Sequence, residues 1–273
     1  MIKILGSRGT IPVSGVNFTK YGGNTSSLFL QVNDEECIIF DCGTGVTLLN
    51  STKYQNLKKF NIFFSHLHWD HIIGLPILKA MYNSKVEINI FVEKKGNLMT
   101  PADFLKDLFK PPFFPVSYSN LRARLNLSFV SLVDSYRFNG VEIFVIEGNH
   151  PDGSLIYRVN CNGYSLVYAT DYEHSEKTDE KLVEFAKDVN YLIYDTTYFP
   201  EDYEGLVDGI SKLGWGHSTY KEGIRIAQSA DAKTLVLFHH NPEYTDSMID
   251  EMFDLAKGEF SNTICASDGI VLY

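Results

Sequence analysis

The segment Ser65-His66-Leu67-His68-Trp69-Asp70-His71 puts three imidazoles and a carboxylate within six residues. His66 and His68 are two apart, so in an extended backbone their rings point the same way. As the chain turns, Asp70 and His71 aim at a second point close by. Imidazole nitrogen and carboxylate oxygen are the donors that zinc, manganese or iron accept. The apolar run 60–64 in front of the motif reads as a buried strand. The stretch 71–78 behind it reads as a turn entering a helix, with Pro76 near its first position. A strand-to-helix junction suits a metal cradle better than a histidine-rich surface loop does.

Other polar residues fall where elements end. The chain has eight histidines, and His150, His217, His239 and His240 follow strands or precede a helix. Asp171 ends a strand in Ala169-Thr170-Asp171. A histidine or aspartate at one strand end ordinarily serves a turn or the surface. Beside a metal motif, each becomes a candidate ligand. Asp41, in Phe40-Asp41-Cys42-Gly43, fits two compatible roles. It can initiate a turn or cap a helix, and it can orient a ligating histidine through the free ring N–H. Ser218 or Thr219 caps the helix that follows His217. His174 lies in the charged stretch 173–184, which reads as a solvated face.

The elements that must hold these residues alternate along the chain. Strands are expected at 2–5, 27–32, 37–40, 60–64, 86–92, 127–130, 141–146, 155–160, 164–169, 191–194, 234–238 and 269–273. Helices are expected at 179–187, 219–230 and 248–257. The phenylalanine-bearing stretch 101–115 reads as a short helix with a flap over a cleft, or equally as a segment covering the core. The loops Gly6-Ser7-Arg8-Gly9-Thr10 and Tyr21-Gly22-Gly23-Asn24 are glycine turns that could bring N–H groups near a ligand. No fixed-period repeat or low-complexity linker interrupts the chain. Two β-rich halves with helices on each therefore predict one α+β domain over 1–273, with two sheets face to face and helices outside.

Composition limits the function classes. At 273 residues, 44% of them hydrophobic and 14% aromatic, the chain can build a sizeable core. A net charge of −10 and a pI near 5.3 argue against extended nucleic-acid binding, which needs a basic face. Lys58-Lys59, Lys94-Lys95 and Arg122-Ala123-Arg124 are only local basic patches. Cys37, Cys42, Cys161 and Cys265 form no CxxC pair and read as reduced thiols of a cytoplasmic protein. No apolar run reaches the length of a membrane span.

His66-Leu67-His68-Trp69-Asp70-His71 resembles the HxHxDH signature of the metallo-β-lactamase-fold hydrolases. Asp41, His150, Asp171 and the terminal histidine match the family's later elements. Gly216-His217-Ser218-Thr219 and Leu235-Val236-Leu237-Phe238-His239 are similar to its phosphodiesterase branch, which includes ribonuclease Z and bacterial cyclic-phosphate phosphodiesterases. The resemblance implies a four-layer αββα sandwich and two divalent metal ions, zinc first, with manganese or iron as alternatives. It places His66, His68 and His150 on one ion and Asp70, His71 and His239 on the other, with Asp171 bridging. His239 is favoured over the adjacent His240. His217 falls beside the metals, near the scissile phosphate or leaving group, and Asp195 falls where relatives have an acid that orients it.

Hydrolysis of a small or cyclic phosphodiester is the expected chemistry, with Asp70 as ligand and proton acceptor and His217 as proton donor. The ribonuclease Z relatives grip RNA with a long basic arm, which the stretch between His71 and His150 does not supply. The alternatives are transfer-RNA 3′ processing, hydrolysis of a lactone or thioester, and a metal-bound sensor without turnover. A di-iron oxygen or nitric-oxide reductase normally has a carboxylate where His68 stands. Relatives are often dimers, which favours a homodimer.

Overall fold

The computed structural model describes residues 1–94 and 99–273, and Lys95 of the Lys94-Lys95 patch lies outside them. The chain forms two compact units, one of residues 1–6, 24–130 and 269–273, the other of 7–23 and 131–268.

The first unit is a six-stranded sheet of β1 (Ile2–Gly6), β2 (Ser27–Gln31), β3 (Glu36–Phe40), β4 (Lys59–Phe63), β5 (Glu87–Val92) and β6 (Arg124–Phe129), in that order. β1, β2 and β3 pair antiparallel, and β3 to β6 run parallel. β3 and β4 read as near-continuous apolar runs because they are central strands, buried along almost their whole length. An amide ladder fixes the register. Asn61 donates to Glu36 at 3.0 Å, Asn89 to Asn61 at 2.7 Å and Asn126 to Asn89 at 2.8 Å.

The helix expected after His71 shrinks to one turn, α1 (Trp69–Ile72), which opens inside the metal motif. A 3₁₀ turn, Leu75–Ile77, follows and holds Pro76. The stretch 101–115 forms α2 (Asp103–Leu108), and Phe104, Leu105, Leu108 and Phe109 are buried in the core of this unit. It is therefore core-covering, although its tip, Phe113 included, is exposed. The basic patches here are largely neutralised: Lys58 pairs with Glu35, Lys59 with Glu36 and Arg124 with Glu87. The expected closing strand 269–273 runs antiparallel beside β1, bridging Lys3 to Val271 and exchanging four backbone hydrogen bonds with Ile2 and Ile4.

The second unit is a seven-stranded sheet of β7 (Tyr136–Phe138), β8 (Val141–Gly148), β9 (Ser154–Cys161), β10 (Tyr164–Ala169), β11 (Tyr191–Asp195), β12 (Leu235–Phe238) and β13 (Thr263–Cys265). β7 to β10 pair antiparallel, and β10 to β13 run parallel. The short β7 and β13 were not expected, since three residues carry too little periodicity. The helices are α3 (Glu176–Phe185), α4 (Pro200–Tyr203), α5 (Tyr220–Ser229) and α6 (Asp246–Glu259). Leu182, Ile224, Ala227, Ile249, Met252 and Ala256 share one buried cluster with Val167 and Ala169 of β10, Leu192 and Tyr194 of β11, and Leu235 and Leu237 of β12. Thr219 caps α5, its hydroxyl accepting from the Glu222 N–H.

All four cysteines are free thiols, and Cys37, Cys42 and Cys265 are buried. Among the described residues no helix is long and apolar enough to cross a membrane.

Candidate functional site

Within the first unit, β4 ends at Phe63 and delivers Ser65 and His66. His68 is still extended, at φ −66° and ψ 156°, before α1 begins at Trp69. The rings of His66 and His68 come to 4.4 Å between centroids, and those of His66 and His71 to 4.3 Å. Asp41, just past β3, lies beneath them. Its Oδ2 accepts from His71 Nδ1 at 2.8 Å and from the Ser65 hydroxyl at 2.7 Å, and its Oδ1 accepts the Ser65 N–H at 2.7 Å. With its Nδ1 proton on Asp41, His71 turns the lone pair of Nε2 toward Asp70 Oδ2, 3.1 Å away. Two electron-pair donors at that separation suit a shared cation.

The second unit repeats this chemistry. Asp171 follows β10, Asp195 ends β11 and His239 follows β12. His239 Nε2 lies 3.3 Å from Asp171 Oδ2, and His150 Nε2 lies 3.8 Å from Asp171 Oδ1. Thr197 sets the His239 tautomer. Its hydroxyl is 3.0 Å from His239 Nδ1 and donates to Asp195 Oδ1 at 2.7 Å, so Nδ1 carries the proton and Nε2 the lone pair. His217 Nδ1 lies 2.8 Å from Asp195 Oδ2, and its ring stacks on His239 at 4.8 Å between centroids. Asp171, Asp195, His217 and His239 each offer one donor atom, all within 4.8 Å of one another, a set able to hold a metal ion. Asp195 has both oxygens engaged by His217 and Thr197, and Asp171 Oδ2, which faces His239 Nε2, also accepts from the Thr170 hydroxyl at 2.7 Å.

Asp41, Asp171 and His239 share a backbone feature. Each has positive φ, +60°, +51° and +62°. Aspartate and histidine tolerate this region better than branched residues.

His240 has a different role. It is buried with Nε2 2.9 Å from the Ala266 carbonyl, and burial pushes its pKa down to about 3. The first glycine loop packs against this strand end. The Gly9 N–H donates to His240 O, and a Cβ on Gly9 would sit 2.3 Å from the His239 ring.

The stretch 173–184 departs from a solvated face, at Glu173, His174 and Asp179 as well as at the core residue Leu182. Glu173 is buried, accepting from the N–H groups of Gly214 and Gly216 and from the Tyr203 hydroxyl. His174 is half-buried, with Nδ1 2.8 Å from Ser218 Oγ and its ring against Tyr203. Asp179 is buried too, paired with Arg225 and accepting from Tyr172 OH. Ser65, Thr197 and Glu173 are the supporting residues that sequence reasoning did not single out. Ser65 alone had a signal, its place next to His66.

A family model described as the beta-lactamase superfamily domain matches residues 37–240. Ribonuclease Z of Archaeoglobus fulgidus is 24% identical, over 98% of this chain and 95% of its own length. Among solved structures, the metallo-β-lactamase fold protein YhfI of Bacillus subtilis is similar with a TM-score of 0.71 and 16% identity, covering 100% of this chain and 98% of that one. The short form of human tRNase Z follows at a TM-score of 0.66 and 20% identity, covering 100% and 98%. These likenesses bear out the expected fold, two mixed sheets with helices. With its family match spanning most of the sequence, the chain belongs to the beta-lactamase superfamily, as a metal-dependent hydrolase with the metallo-β-lactamase fold.

Proposed function

We propose that this protein hydrolyses phosphodiesters, a small or cyclic one in the first instance. The observation that carries the reading is His217, held at Nδ1 by Asp195 Oδ2 and stacked on His239. An imidazole so held keeps Nε2 for substrate. In our reading His66, His68 and His150 hold one divalent ion and Asp70, His71 and His239 a second, with Asp171 shared. The donor chemistry supports zinc, with manganese or iron as alternatives. Such ions supply a water of lowered pKa and neutralise charge on phosphate oxygens.

The chain's own residues do the rest. Asp70 accepts the proton of the attacking water, and Nε2 of His217 donates to the leaving oxygen. Asp41 and Thr197 keep the Nε2 atoms of His71 and His239 in their ligating form. Asp195 keeps His217 in the tautomer and orientation that proton donation needs.

The acidic balance and the ion-paired basic patches support a small substrate. Transfer-RNA 3′ processing is the second reading, favoured by the likeness to ribonuclease Z along almost the whole chain. We further propose that 1–273 works as one domain, in the cytoplasm, as a homodimer.

Metal analysis with a hydrolysis panel tests the reading. The panel holds a chromogenic phosphodiester, 2′,3′- and 3′,5′-cyclic nucleotides, a pre-tRNA, a lactone and a thioester. Turnover of phosphodiesters supports it, and cleavage of the pre-tRNA alone selects the second reading. Turnover of acyl compounds alone overturns both. Bound metal with no turnover of any substrate identifies a sensor.

A further inference from the structure

Glu173 belongs to no ligand set, yet it is a buried carboxylate with every oxygen employed. Oε1 accepts the Gly214 N–H at 2.6 Å and the Tyr203 hydroxyl at 2.7 Å, and Oε2 accepts the Gly216 N–H at 2.9 Å. The backbone of the same residue is tied to the neighbour of His150. Its N–H donates to Asn149 O at 2.8 Å, and the Asn149 amide donates back to its carbonyl at 2.7 Å. One residue thus joins the segment leaving β8 to the loop that carries His217.

The adjoining geometry is tight. Gly214 and Gly216 have φ of +83° and +90°, conformations that L side chains rarely adopt. A Cβ on Gly216 would lie 2.3 Å from His150 Cδ2 and 2.5 Å from Pro151 Cδ, so the loop backbone packs directly on the His150 imidazole. On the far side of His217, the His174 ring sits 2.8 Å from Ser218 Oγ, which also meets Tyr194 OH at 3.1 Å. The backbone before His217 and the side chain after it are both gripped from the pair Glu173-His174.

We propose that Glu173 is a positioning residue for His217, setting the imidazole's place by holding the amides of Gly214 and Gly216. The inference rests on the reading of His217 as proton donor. A carboxylate satisfies both amides at once, with charge-assisted bonds stronger than neutral ones. A glutamine has one oxygen and one NH2, so one amide then faces a donor.

The test combines Glu173→Gln, Glu173→Asp, Tyr203→Phe, His217→Ala and the double variant Glu173→Gln/His217→Ala in the metal-loaded protein. Readouts are hydrolysis of bis(p-nitrophenyl) phosphate, metal per chain, thermal midpoint and hydrogen exchange of 205–218. Expected for Glu173→Gln is a kcat lowered about tenfold or more, a displacement cost, with wild-type metal content. The Gly214 and Gly216 amides exchange faster, and the double variant is no slower than His217→Ala alone. Glu173→Asp, with its shorter reach, repeats the pattern if Glu173→Gln unfolds, and Tyr203→Phe leaves both amides protected. Multiplying losses in the double variant, unchanged exchange or lost metal overturns the proposal. An impaired His217→Ala beside an unimpaired Glu173→Gln overturns it alone, whereas full activity of His217→Ala overturns the proton-donor reading beneath it.

Discussion

Oδ2 of Asp41 lies 2.8 Å from Nδ1 of His71, and the two side chains are fully buried together. That bond selects the tautomer in which Nε2 is free of a proton. Asp41→Asn puts an amide where only an acceptor serves, since in either flip the NH2 faces a donor, the Ser65 N–H at Oδ1 or His71 Nδ1 at Oδ2. Metal affinity is expected to fall about 10- to 100-fold, as for other partners of ligating histidines. Metal titration of the apo protein checks this, and unchanged affinity would show that His71 needs no such partner.

His217→Ala is expected to lower kcat by about a hundredfold or more, the range of a lost general acid, at unchanged metal content. Asp195→Asn should lower it less, because the imidazole remains but loses its carboxylate. Metal loss on changing His217 would instead make it a ligand, a role its contact set also permits.

Asp70→Ala removes both a proposed ligand and the proposed proton acceptor. Turnover should vanish, and near-normal activity in that variant would sink the mechanism. Chelation of the wild-type protein should abolish hydrolysis, and added Zn2+ or Mn2+ should restore it.

The buried His240 makes a prediction about acid stability. Its pKa falls from 6.5 in the unfolded chain to about 3 in the fold, chiefly through burial. Between these values the unfolded state binds the extra proton. This contribution is whole above pH 6.5 and is lost as pH falls toward 3, at a slope of up to about 1.4 kcal/mol per pH unit. His240→Gln should flatten that limb of the stability curve, measured by denaturant titration from pH 7 to 4. An identical slope in the variant would refute the assignment.

The metal motif was legible because its donors are consecutive in sequence. The strand ends at Asp41, Asp171 and His239 were legible because apolar runs stop there. His239 and His240 separate only in three dimensions, where one backbone reversal aims the first at Asp171 and the second at Ala266. Glu173 and His174 were read as solvated because they open a charged stretch. Their burial comes from partners about 30 to 44 residues away, Tyr203, Gly214, Gly216 and Ser218, which no local pattern reveals. The helix expected after His71 shortened because the chain tightens into 3₁₀ turns around Gly74 and Pro76. β13 was missed because a three-residue pairing at an edge leaves almost no periodic signal.

The left-handed backbone at Asp41, Asp171 and His239 has a consequence for how these positions can change. A β-branched or bulky replacement meets a steric penalty of about 1–3 kcal/mol before any chemistry is lost. Glycine relieves the backbone but deletes the donor, and asparagine alone approaches both demands. Few substitutions are neutral there, so drift in sequence meets a conformational filter as well as a chemical one. An alanine scan of these three residues therefore reports two losses at once, and the matching glycine variants are needed to divide them.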